Sequence, residues 1–122
     1  MFYSIDTVQE WLDEIAESLP EEIFNHLNGG VLLLPQYKIS PHAIADDLFI
    51  MGEYVHQYIY GRMINIYYGS IMQIYGNAPE HVIKAQLRKV LCHELIHHLE
   101  SLAGEHGLEI IDAQRLQKYL GN

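Results

Sequence analysis

Apolar residues near the start of the chain, Val8, Trp11, Leu12, Ile15 and Leu19, recur at steps of three and four, which places them on one face of a 3.6-residue helix. Asp6 with Gln9 three positions on has the form of a capping box, so the pattern predicts a helix over Thr7–Leu19. Pro20 suits the first turn of a short second helix, with Glu21 and Glu22 at its positive end, Ile23 and Leu27 on its apolar side, and Gly29 and Gly30 as its stop. Val31–Leu34 is then a continuous apolar run bounded by glycine and proline, the pattern of a buried strand. Gln36–Asp47 reads as a loop, Leu48–Tyr54 as a second strand interrupted at Gly52, and Arg62–Tyr68 as a third, rich in β-branched and aromatic residues. Ser70–Tyr75 is read as a helical turn.

The longest periodic stretch follows. Asn77 and Pro79 make a helix start, and Ile83, Leu87, Leu91, Leu95, Leu99 and Leu102 trace an apolar ridge that predicts a long central helix. Gly104 and Gly107 are expected to break it and turn the chain back. Ile111, Leu116 and Leu120 then mark a final helix over Ile111–Leu120. No repeat, linker or low-complexity tract interrupts the series. The 122 residues are accordingly expected to form one domain over 1–122, long enough for a real core and too short for two ordinary ones.

Composition narrows the function classes. Apolar residues at 49% and charged residues at 19% are those of a globular chain. The longest purely apolar run, Val31–Pro35, is far below the roughly 20 residues needed to span a bilayer, so no membrane partner is expected. A formal net charge of −9 with only seven Lys and Arg argues against nucleic acid, which requires clustered cations. The single cysteine, Cys92, excludes an internal disulfide and fits a reducing compartment, with the cytoplasm as the expected location. Eight histidines stand out in a chain of this size, three of them within His93–His98.

That cluster carries the candidate chemistry. In the segment HELIHH, His93 and His97 lie four apart on the central helix, so both rings leave one face and converge on one ion. A helix holds two imidazoles without the entropy cost of ordering a loop. Glu94 lies about 100° round the helix from His93, near enough to act as general base on a water activated by the metal. Zinc, one per chain, is the expected ion, and hydrolysis of a peptide bond the expected reaction. His98 falls one step off this face and is expected to be packed or hydrogen-bonded, and Cys92 to be a small core residue. Most of the tyrosines between Tyr54 and Tyr75 are expected to be amphipathic strand residues, one of them lining the cleft. With Gly104 and Gly107 turning the chain back, Asp112 at the start of the last helix is the expected third ligand, with Glu109, Glu100, Glu105 and His106 as its rivals.

From Met51 to Asp112 the chain, through MGEYVHQYIYGRMINIYYGS, HELIHHLESLAG and GLEIID, resembles the small zincin-like metallopeptidases of bacteria. The resemblance implies an α+β minimal zincin: a small β-sheet packed on the central HExxH helix, with flanking N- and C-terminal helices. It implies His93 and His97 as metal ligands, Glu94 as catalytic base, and the strand Ile64–Tyr68 beside the active-site helix, where a short extended peptide would pair with it. Many members carry a glycine three residues after the second histidine and an acidic residue three further on, where this chain has Glu100 and Ala103. Treating Glu100–Gly107 as an insertion aligns Asp112 with the acidic position. The reading of another class is a binding module, a zincin fold that holds metal or peptide without cutting.

Overall fold

The first apolar series forms α1 (Ile5–Glu17), which buries Val8, Trp11 and Leu12 on one face. This comes from a computed structural model that describes residues 2–41, 48–59, 61–106, 118 and 120, with the backbone alone for Glu105 and His106. The helix is capped by Ser4, not by Asp6. The Ser4 hydroxyl accepts from the Thr7 amide at 3.2 Å, because extended backbone at Ser4 aims its oxygen at the third helical amide. Asp6 lies inside the first turn, where its carboxylate meets the positive end of the helix dipole. Beyond Pro20 the expected short helix is a single 3-10 turn, Glu21–Phe24.

Three strands follow: β1 (Gly30–Leu34), β2 (Gly52–Gln57) and β3 (Gly61–Tyr67). They form one mixed sheet in the order β1-β3-β2, with β1 parallel and β2 antiparallel to β3. The second strand thus begins at Gly52, where the apolar pattern had placed an interruption. Phe49, just before it, makes only an isolated bridge to Ile39 inside the segment read as a loop. Gly61, with φ +75°, supplies the left-handed backbone that closes the short link from β2 to β3. The sheet class is α+β, as expected, but β3 is the central strand. Both of its hydrogen-bonding edges are filled, by β1 and by β2, so an extended peptide has no edge of β3 to pair with. That corrects the pairing expected for Ile64–Tyr68, since the outer strands are β1 and β2.

α2 (Tyr68–Tyr75) leads into α3 (Glu80–His106), whose first free amides at Val82 and Ile83 are taken by the Pro79 carbonyl. The ridge Ile83, Leu87, Leu91, Leu95, Leu99 and Leu102 is buried along its whole length, packing against Ile64 and Ile66 of β3 and against α1. α3 does not end at Gly104 but continues to His106. A single glycine costs a helix interior only about 1 kcal/mol, and the buried Leu99 and Leu102 hold the last turns in place. Gly107 and most of the expected final helix, including Asp112, lie outside the described residues. Among the described residues no helix is long and apolar enough to cross a membrane.

Candidate metal centre and its cleft

α3 presents His93 and His97 on its exposed side, one turn apart, with their rings edge to face and 4.7 Å between centroids. Their Nε2 atoms stand 3.2 Å apart. Two nitrogens bound tetrahedrally to one zinc at about 2.0–2.1 Å are separated by about 3.3–3.4 Å, so the pair already has the bite of a chelate. The outer nitrogen of His97, Nδ1, lies 3.2 Å from Glu100 Oε1. With Nδ1–H donating to that carboxylate, Nε2 is left as the lone-pair nitrogen that a metal requires. In that arrangement Glu100 orients His97 from its outer side.

Two further rivals lie on the same helix. Glu105 and His106 are eight and nine residues past His97 on continuous helix, about 12 and 13.5 Å along the axis. Asp112 and Glu109 lie outside the described residues. Among the described residues, no group of three or more His, Cys, Asp or Glu side chains stands within reach of one ion.

Glu94, about 100° round the helix from His93, is buried, at 7% exposure, where α3 meets Gly52 of β2. Its carboxylate accepts a hydrogen bond from the backbone amide of Tyr54. Burial holds the carboxyl above the usual carboxylate range, against the pull of His93 and His97 and of the Tyr54 amide. The Tyr54 amide is available because of strand register. Met51 bonds to Tyr67 at 2.8 Å, so the alternate residues Gly52, Tyr54 and His56 turn their backbone groups away from β3. The outer edge of β2 thus runs past Glu94.

Gly52 sets how closely strand and helix approach. A Cβ there would lie 2.6 Å from Val90 Cγ1 and 3.4 Å from Glu94 Cγ. Gly52→Val is accordingly expected to lower stability by about 1–3 kcal/mol, the usual cost of overpacking, read from the denaturant midpoint at constant m-value. An unchanged midpoint would mean that β2 and α3 do not meet here.

Beside Glu94 opens a cleft of about 340 Å³. Ile50, Met51 and Gly52 form its strand side. Gln86, Lys89, Val90, His93 and Glu94 form its helix side. The arrangement sets one nitrogen donor of the pair, His93, and the buried Glu94 carboxylate on the wall of one concave, mostly apolar space.

The chain is similar over 83% of its length to a conserved hypothetical protein from Thermus thermophilus, at 30% identity and a TM-score of 0.70, with 98% of that protein covered. The chain belongs to that protein's family. No model of a known protein family matches the chain, and no curated protein does. Family membership therefore supplies the fold, and the chemistry has to be argued from the side chains.

Sequence reasoning named Cys92 and His98 as core residues, and both are buried. It missed what His98 is bonded to. Its Nε2–H donates to the Asn25 carbonyl at 2.8 Å, which leaves Nδ1 to accept from the Tyr54 hydroxyl at 3.0 Å. That hydroxyl in turn accepts from Arg62 Nη1 at 2.9 Å, and Arg62 also reaches Ser101. Burial, the first cause, and the nearby Arg62 and His26 charges hold His98 below the usual imidazole range, so it sits there neutral. Tyr54 thus ties the backbone that meets Glu94 to a buried Tyr–His–Arg network. Its signal in the sequence was its place in the alternation Gly52, Tyr54, His56, visible only once the strand was known to start at Gly52.

Proposed function

We propose that this protein is a zinc-dependent peptidase of minimal zincin type, in which His93 and His97 hold one zinc per chain and Glu94 is the general base. The observation that carries the reading is the 3.2 Å separation of the two Nε2 atoms next to a buried carboxylate on the wall of a cleft. The resemblance of HELIHH and its surroundings to zincin-like peptidases supports it. Bound zinc would acidify water and polarise a peptide carbonyl. Glu94 takes the proton of the attacking water and later passes it to the leaving amine. The Tyr54 amide keeps the carboxylate aimed while it does so. An extended substrate pairs with the outward backbone of β2 at Gly52 and His56, the strand that runs beside the base. A cytoplasmic peptide or protein is the substrate in keeping with a chain whose single cysteine is reduced and buried.

Asp112 completes the site as third protein ligand, lowering the charge of an ion otherwise held by two neutral rings. Asp112→Ala is expected to weaken zinc binding at least tenfold, with Glu109→Ala, His106→Ala and Glu100→Ala each changing it less. A larger loss on Glu109→Ala would transfer the role to Glu109.

The function itself is tested by exposing a diverse peptide library to the zinc-loaded protein. Cleavage that stops when zinc is chelated is the expected result. If no peptide is cut, the chain is a non-catalytic metal- or peptide-binding module.

A further inference from the structure

Lys89 has no part in the chemistry above, yet it lines the same cleft as His93 and Glu94. It stands four residues before His93 on the same strip of α3, about 6 Å along the axis. The Lys89 side chain is exposed at the cleft, and among the described residues it enters no ion pair. Its neighbours Ile50, Met51 and Val90 are apolar. In a chain of net charge −9, a cation on the helix side of an apolar cleft is matched to an occupant with an apolar body and an anionic tip.

We propose, on the basis of the peptidase reading, that this cleft takes the C-terminal end of the substrate, an apolar last residue whose free carboxylate pairs with Lys89. Length supports this occupant. One residue of extended chain spans about 3.3–3.6 Å. A carboxylate one or two residues beyond a carbonyl at the His93–His97 pair therefore falls within reach of the Lys89 ammonium. The volume of about 340 Å³ lies at the small end of ligand cavities and fits an end piece better than a chain passing through. The protein would then trim one or two residues from peptide C-termini rather than cut within a chain.

Binding tests this without requiring turnover. Short N-terminally labelled peptides ending in leucine, as free acid and as C-terminal amide, are titrated against the zinc-loaded full-length chain carrying Glu94→Gln. The acid is expected to bind at least tenfold tighter than the amide. Adding Lys89→Ala should bring the acid to the amide's affinity, and Lys89→Arg should keep the preference. Equal affinity of acid and amide, no binding of either, or a preference that survives Lys89→Ala would overturn the proposal. Zinc content of the same samples separates the two ideas. One zinc per chain with no acid preference removes only the carboxylate pocket, whereas a metal-free chain removes the peptidase reading.

Discussion

Glu94→Gln is expected to leave zinc content and folding as they are and to lower peptide hydrolysis by about two to four powers of ten, the range for losing a general base. Structure should survive because glutamine keeps the shape and still offers an oxygen to the Tyr54 amide that Glu94 now binds. Stability should hold or rise slightly. Burial already disfavours the charged form of Glu94, and an amide removes that cost while its oxygen keeps the Tyr54 hydrogen bond. The measurement is kcat and KM on a peptide from the library screen, beside zinc content and the denaturant midpoint. The loss should lie in kcat with little change in KM, since Glu94 acts on the proton and not on the substrate's position. A variant within threefold of the parent would assign the base elsewhere.

Long periodic segments were legible in the sequence. The ridge from Ile83 to Leu102 and the positions Val8, Trp11 and Leu12 are buried as their spacing requires, because a helix face repeats many times and a single exception does not blur it. The HExxH pair was legible for the same reason, since two residues four apart on a helix have only one relation to each other. Short strands were harder. Leu48 to Tyr54 carries the apolar residues, yet the strand is Gly52–Gln57, because what decides it is close approach to Val90 and Glu94, which only glycine at position 52 permits. Nor does the pattern within Ile64–Tyr68 reveal whether it lies at an edge or in the centre, which depends on β1 arriving from 33 residues away. The cap moved from Asp6 to Ser4 because both residues can cap and the choice rests on backbone shape. Gly104 stayed helical because packing on either side outweighs its local preference. Of the site, the residues on one helix were visible and their partners from the sheet, Gly52, Tyr54 and Arg62, were not, since those contacts cross 38 to 44 positions of sequence.

Zinc stoichiometry tests the central claim most directly. Two ring nitrogens already set 3.2 Å apart on a helix buried along its opposite side need little rearrangement to share an ion, so the donors' ordering entropy is largely met by folding. Removing both leaves no such pair on α3. The purified chain, dialysed against micromolar zinc at neutral pH and then against metal-free buffer, is expected to retain about one zinc per molecule by elemental analysis. The double variant His93→Ala, His97→Ala is expected to retain none while keeping the parent's circular dichroism, because both side chains are exposed and lie outside the buried core. A parent chain that emerges metal-free, or a double variant that still holds one zinc, would contradict the account.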